Sequence, residues 1–220
     1  MIEYSFPNYK IIQFAKAPLL GHVKTRMQPA LSLQGSVDLH RSLTQHTVNT
    51  IAQARVCAHE LWVDSNLDHL FFRDLVAQSA CKLKQQAAGD LGVKMASAVQ
   101  STLPSCKGIV LVGSDCPFID EGYLRKALLS LEAGNEAVIG PASDGGYVLL
   151  GLTRYHASMF ACVDWGTEKV FQQTAQQFET LGIELDVLSV LSDIDEPEDL
   201  RLLRNLPRTN VLNLFLDTVA

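Results

Sequence analysis

Apolar positions along the chain alternate between two rhythms. Short continuous runs rich in β-branched residues give way to longer stretches in which apolar side chains recur at helical spacing. Lys10 to Ala15 (KIIQFA) predicts a first strand, and Leu33, Val37, Leu43, Val48 and Ile51 predict a helix over about Pro29 to Ala54. His59 to Asp64 (HELWVD) reads as a second strand, Leu67 to Ala80 as a helix, and Leu83 to Gln86 as a short strand. Gly89 to Leu103 opens in a Gly-containing loop and continues as a helix that stops before Pro104. Further on, Asp120 to Glu132 predicts a helix closed by Gly134. Ala137 to Gly140 and Tyr147 to Leu152 predict strands joined through Pro141 to Gly146. Thr167 to Thr180 is helical and closed by Gly182, Ile183 to Leu191 is a last strand, and Glu196 to Arg204 a last helix.

Between these halves lies Lys107 to Asp120 (KGIVLVGSDCPFID), around which the pattern is organised. Ile109, Val110, Leu111 and Val112 are bounded by Gly108 and Gly113, the signature of a strand buried on both faces of a parallel sheet. Pro117 ends ladder pairing, so Asp115 sits in the turn past the strand's C-terminal end, where open α/β sheets bind ligands. Asp115 could hold a metal that holds phosphate. On this stretch alone, a turn aspartate leading into the helix near Asp120 is the favoured reading. Strand and helix alternate without linker, repeat or low-complexity segment, so the expected fold is one α/β domain with a mostly parallel sheet flanked by helices.

Composition narrows the function. The chain has 220 residues, 47% hydrophobic and 19% charged, as in ordinary globular proteins, and a net charge of −6. That balance leaves no basic surplus for a nucleic-acid backbone. No apolar run reaches the length of a membrane span, and MIEYSFPNYK has no signal-peptide pattern. Five scattered cysteines without a C-x-x-C argue for a reducing compartment, and cytoplasm is the expected one. Val211 to Ala220 is too apolar for a free tail and is expected to pack on the domain or to form a homo-oligomer contact.

Three stretches carry candidate chemistry. Ala15 to Arg26 (AKAPLLGHVKTR) gathers Lys16, Lys24 and Arg26 after a strand and before a helix, where backbone N–H groups also favour an anion. Gly21 permits close backbone approach there, and the G-x-x-x-x-G-K-S/T spacing of a Walker A loop is absent. A solvated basic loop and a phosphate site stand at even weight. Asp144-Gly145-Gly146-Tyr147 reads first as a hairpin turn, and second as a place where backbone approaches a sugar or acceptor. Asp195 with Glu198 has capping-box spacing, with Pro197 suited to a first helical turn. Asp193 or Asp195 also sits at a strand's C-terminal end, so with Asp115 it could hold Mg²⁺. Cys116 has no local feature marking a base, and reads as a small core-edge residue.

Taken together, FAKAP-x-x-G-x-VKTR (Phe14 to Arg26), GDLG (Gly89 to Gly92), VGSDCP (Val112 to Pro117), GPASDGGYVLLGL (Gly140 to Leu152), W-G-T-x-x-V (Trp165 to Val170) and DIDEPEDL (Asp193 to Leu200) resemble one bacterial group. It is the GT-A-like rSAM/selenodomain-associated transferase 1 family, provisionally labelled glycosyltransferases, within the nucleotide-diphospho-sugar transferase superfamily. The likeness runs from about residue 10 to 204 and leaves 205–220 as a C-terminal extension of a single 1–220 domain. The first loop is also similar to that of 2-phospholactate guanylyltransferases and, more distantly, molybdenum-cofactor guanylyltransferases. The resemblance implies a Rossmann-type domain in which Lys16, Gly21, Lys24 and Arg26 bind nucleotide. Asp115 and Lys24 would be catalytic, and Asp115 with Asp195 would bind Mg²⁺ or Mn²⁺. Asp144, Gly145, Gly146, Tyr147, Trp165 and Thr167 would line the small-molecule acceptor or sugar. Val93-Lys94 departs from the acidic-basic pair of many relatives. Asp115 stands alone rather than in a D-x-D, which favours nucleotidyl over glycosyl transfer. A non-catalytic nucleotide-binding protein is the third expectation.

Overall fold

Every residue of Gly108–Val112 is buried, which requires a neighbouring strand on each flank and a helical layer on each face. The computed structural model, which describes residues 3–28, 30–207, 212 and 215, supplies both. Its strands are β1 (Tyr9–Ala15), β2 (Ala58–Val63), β3 (Lys82–Gln85), β4 (Gly108–Val112), β5 (Ala137–Pro141), β6 (Tyr147–Leu152) and β7 (Leu185–Val187). Its α-helices are α1 (Leu33–Ala54), α2 (Leu70–Gln78), α3 (Leu91–Thr102), α4 (Glu121–Glu132) and α5 (Val170–Thr180). The strands form one seven-stranded sheet in the order β3-β2-β1-β4-β6-β5-β7. β6 runs antiparallel to both neighbours, and the other pairings are parallel.

Period-two alternation assigns the faces. Ile11, Val110 and Val112 meet Ile51 of α1 and Tyr123, Leu124 and Leu128 of α4 on one side. Ile12, Ile109 and Leu111 meet Met95 and Val99 of α3 and Phe178 of α5 on the other. α2 covers Leu61 and Val63 through Phe72 and Leu75. Helix starts follow capping chemistry: Ser32, Asp90 and Asp120 each accept a backbone N–H from the residue three positions on.

Two predicted elements differ. The strand expected over Ile183 to Leu191 is ordered only at Leu185–Val187, with an isolated bridge from Leu191 to Ala142. This strand lies at the sheet edge, paired to β5 alone, and Pro141 at the end of β5 has no N–H for the ladder. The last helix is a 3-10 helix over Pro197–Asn205, and the capping carboxylate is Asp199, which accepts from the backbone N–H groups of Asp195 and Glu196. The side chain of Asp195 is thereby left for other partners.

Leu212 and Phe215 are buried with Met27, Leu31, Leu39, Leu43, Ile194 and Leu203. The remainder of the Val211 to Ala220 stretch lies outside the described residues. Among the described residues no helix is long and apolar enough to cross a membrane.

Candidate functional site

The chain runs outward from β1 to β2 and β3, then returns to β4 beside β1 and continues the other way, and the C-terminal ends of strands at such a reversal are where open α/β sheets hold ligands. A cavity of about 490 Å³ lies there, lined by Lys16, Lys24, His40, Gln86, Asp90, Lys94, Ser114, Asp115 and Asp195 among others. The loop after β1 is pinned from below by Val23 and Met27, both buried. Between these anchors Lys24 takes a left-handed conformation at φ +50, unusual for a lysine, which turns its side chain inward.

Inside, the Lys24 ammonium is surrounded by oxygen. Its Nζ lies 2.6 Å from Asp115 Oδ1 and 3.5 Å from Asp195 Oδ1. It also donates to the carbonyl of Ile194 at 2.5 Å. Only 2% of the Lys24 side chain is exposed, whereas Asp115 keeps 47% of its side chain open and Asp195 34%. Oδ1 of Asp115 is itself buried, so the open part of that carboxylate faces the cleft through its other oxygen. Arg26 holds Asp195 Oδ2 from outside at 2.8 Å. Ile194 N–H donates to the carbonyl of Asp115 at 2.9 Å and ties these distant parts of the chain together.

Burial alone would raise the Asp115 pKa, but the charges of Lys24, His40 and Lys16 outweigh it, so the group lies below its ordinary value and is ionised. His40, an interior-facing residue of α1, brings Nε2 within 2.9 Å of the Lys16 carbonyl. A carbonyl only accepts, so Nε2 carries the proton; burial, helped by Lys24 and Lys16 against the pull of Asp115, lowers the imidazole pKa. Below the floor, Gln13 donates to Ser114 Oγ at 2.9 Å, and Ser114 donates to the Phe14 carbonyl at 2.7 Å, bracing the Asp115 turn against β1. Asp193 is pushed up to about 6 by burial and by the charges of Asp144 and Asp115.

The structure therefore brings Lys16, Lys24, Arg26, Asp115 and Asp195 to one place. Gly21, at φ +75, serves the turn in the first loop and does not line the cleft. Asp144, Gly145 and Gly146 form the β5–β6 hairpin turn, with Asp144 Oδ1 accepting Gly146 N–H at 2.8 Å. At Gly145, φ +90, a Cβ would collide with the Glu168 carbonyl oxygen, so glycine is required for packing. Tyr147 reaches Met95 Sδ and meets Trp165 edge-on, while Thr167 Oγ1 donates to the Asp164 carbonyl. Of that set Trp165 lines a second pocket, about 300 Å³, which adjoins the main cleft at Asp90. Cys116 is buried and its thiol pushed up to about 12 by burial, then by Asp193 and Asp115, against the nearby backbone N–H groups, which disfavours the thiolate and fits the core-edge reading.

Sequence reasoning did not single out His40, Gln86, Asp90 or Lys94 as site residues. His40 carried a usable signal, the one ionisable residue among the buried positions of α1, in phase with Val37, Leu43 and Val48.

The profile of a family described as "Uncharacterized protein conserved in bacteria (DUF2064)" matches residues 47–167, more than half the chain. No curated protein matches. A solved structure from Desulfovibrio desulfuricans G20, provisionally assigned as a nucleotide-diphospho-sugar transferase, superposes with a TM-score of 0.86 at 25% identity, covering 97% of this chain and 96% of that one. The 4-diphosphocytidyl-2C-methyl-D-erythritol synthase of Anaerococcus prevotii DSM 20548 has a TM-score of 0.62 at 13% identity, with 96% of each chain covered. A CMP:2-keto-3-deoxy-manno-octonic acid synthetase, solved with CTP, has a TM-score of 0.58 at 10% identity, covering 90% of this chain and 97% of that one.

Proposed function

The chain belongs to the DUF2064 family within the nucleotide-diphospho-sugar transferase superfamily, and from its cleft we propose that it is a transferase using a nucleotide donor, with nucleotidyl transfer as its chemistry. One observation carries the reading: a buried lysine held on two carboxylates at the point where the sheet reverses its strand order. Such a crevice binds nucleotides in open α/β sheets; Lys16 and Lys24 line it, and Arg26 stands behind Asp195, which together give it the cations that phosphates need. The likeness to two cytidylyl-handling enzymes of the same fold supports it further.

The residues fit a divalent metal. Asp115 and Asp195 already converge on a cation, and Asp115 has an oxygen open to the cleft. Mg²⁺ typically takes one or two carboxylates and completes its shell with water and substrate phosphate; Asp115 and Asp195 supply the carboxylates, and Mn²⁺ accepts the same oxygens. When bound, the metal would neutralise charge developing on the leaving pyrophosphate. The chain's own groups do the rest. Lys16 and Arg26 bind the phosphates, Lys24 stabilises the same developing charge, and His40 fixes the Lys16 backbone through its carbonyl. An acceptor phosphate then attacks the α-phosphorus of the nucleoside triphosphate.

A second reading is glycosyl transfer from a nucleotide sugar. Trp165 at the adjoining pocket favours it, since an indole face suits a sugar ring, and so does the provisional assignment of the D. desulfuricans relative. A thermal-shift screen separates the two. Nucleoside triphosphates and nucleotide sugars are tested with and without Mg²⁺ on wild type and Asp115→Asn. At roughly a hundred times Kd a ligand stabilises by about 3 kcal/mol. A metal-dependent shift with a triphosphate, lost in the variant, is the expected result; a shift with nucleotide sugars alone selects glycosyl transfer. Ligand binding and metal dependence both unchanged in Asp115→Asn would point to a non-catalytic binding protein.

A further inference from the structure

The position between Asp115 and Asp195 is one where a divalent ion would be expected, yet the Lys24 ammonium fills it, with Asp115 Oδ1, Asp195 Oδ1 and the Ile194 carbonyl around it. We propose that Lys24 is a tethered stand-in for the metal, so that metal and phosphate enter this site only together. The inference rests on the metal–nucleotide reading above and adds the order in which its parts assemble.

The argument is one of charge and space. Two carboxylates brought together with no cation repel each other, and the fold prevents this with its own ammonium. A divalent ion arriving alone meets that ammonium at close range, and like charges in a buried place repel strongly. Lys24 must then move, but its side chain is 2% exposed, flanked by the buried Val23 and Met27, and its backbone is held in the left-handed region. The cleft is the direction open to it, because Lys24 lines that cavity. An ammonium displaced there without an anion gives up three oxygens for water. With a phosphate in the cleft, it exchanges carboxylate for phosphate, while the metal takes the carboxylates and the same phosphate. Before and after, each carboxylate and phosphate faces a cation, and each half-exchange alone leaves a charged group without one.

The test is equilibrium dialysis of Mn²⁺ against the free protein, with and without inorganic pyrophosphate, followed by electron paramagnetic resonance of bound Mn²⁺. Wild type is expected to retain Mn²⁺ at the site only when pyrophosphate is present. Lys24→Met is expected to bind Mn²⁺ alone, tighter than wild type by roughly tenfold or more. Adding Asp115→Asn to that variant should remove the gain. Wild type binding Mn²⁺ alone as tightly as Lys24→Met would overturn the proposal, because the lysine would then not be a competitor. So would a Lys24→Met chain, folded by circular dichroism, that gains nothing. The wild-type comparison stands even if the variant does not fold. Retention with pyrophosphate but no gain in Lys24→Met sinks the stand-in role and leaves the metal–nucleotide reading intact. No retention under any condition sinks both.

Discussion

Asp115 and His59 are both ionisable groups set into the same sheet, and the fold treats them in opposite ways. Asp115, past the end of β4, keeps its charge because Lys24, His40 and Lys16 surround it. His59, inside β2, has neither ring nitrogen hydrogen-bonded, and burial pushes its pKa down to about 3. It lies beside Ile51, Ala52, Gln78 and Cys81 at a small pocket of about 160 Å³ and behaves as part of the core. A buried charge held with its counter-ion can exchange that counter-ion for a ligand's charge. A buried group without one is simply neutralised. Both are ionisable groups placed by the sheet, and only the first, half-open to the cleft beside its buried counter-ion, has the makings of a site.

The largest expected effect comes from the neutral member. In the unfolded chain His59 takes up a proton near its ordinary 6.5, and in the folded chain only near 3. Between those values the unfolded state binds more protons, so His59 lowers stability as pH falls below about 6.5 and costs nothing above it. Its slope approaches one proton, about 1.4 kcal/mol per pH unit. His59→Leu, similar in volume, should therefore be at least as stable at pH 7 and should lose that part of the acid sensitivity. Urea titrations from pH 4 to 7 measure the slope. An unchanged slope would mean that His59 finds a partner and is not the neutral core group described above.

Lys24→Met tests the charged member by converting Asp115 into a group without its main counter-ion. Breaking a fully buried pair costs about 3–5 kcal/mol. Asp115 keeps 47% of its side chain open, so solvent recovers part of the loss, and a cost of about 2 kcal/mol is expected. For a chain of this size that is a fall in Tm of about 4–8 °C. No fall would mean that the pair is not what keeps Asp115 in place.

The same contrast explains what could be read in advance. The strands and helices were legible because each buries a face, and burial leaves periodicity: Ile109 to Val112 is a continuous run because it is covered on both sides. That Asp115 and the lysine loop meet was legible because both follow the C-terminal ends of strands that one sheet sets side by side. The hairpin reading of Asp144-Gly145-Gly146 was the one local turn chemistry supported, and these residues do form the turn. The inward turn of Lys24 was not legible, since a left-handed lysine has no sequence signature and its oxygens come from positions 115, 194 and 195. Nor was the extent of β7, because edge pairing depends on what β5 can donate. Local pattern encodes burial; contacts between distant residues fix the charge network.

A smaller effect separates the two partners of Asp195. Asp195→Asn removes the charge between Lys24 and Arg26 but keeps an acceptor oxygen, so a loss of about 1 kcal/mol is expected. Arg26→Ala should cost least. Its side chain is 61% exposed, and exposed ion pairs contribute about 0–1 kcal/mol, screened by salt. Yet Arg26 holds Asp195, which lines the cleft, and under the nucleotide reading proposed above its guanidinium would make charge-assisted bonds to an incoming phosphate. Arg26→Ala should therefore lower Tm by no more than about 2–4 °C while weakening the triphosphate-induced shift, more at low salt than at high. Lys24→Met lowers both. If Arg26→Ala lowered the ligand-free Tm as much as Lys24→Met, its role would be to hold the C-terminal segment, and the phosphate cations would reduce to Lys16 and Lys24. A smaller fall in Tm with a weakened, salt-sensitive ligand shift would instead place the boundary between structure and binding within one carboxylate, Asp195, whose Oδ1 faces the buried lysine and whose Oδ2 faces the exposed arginine.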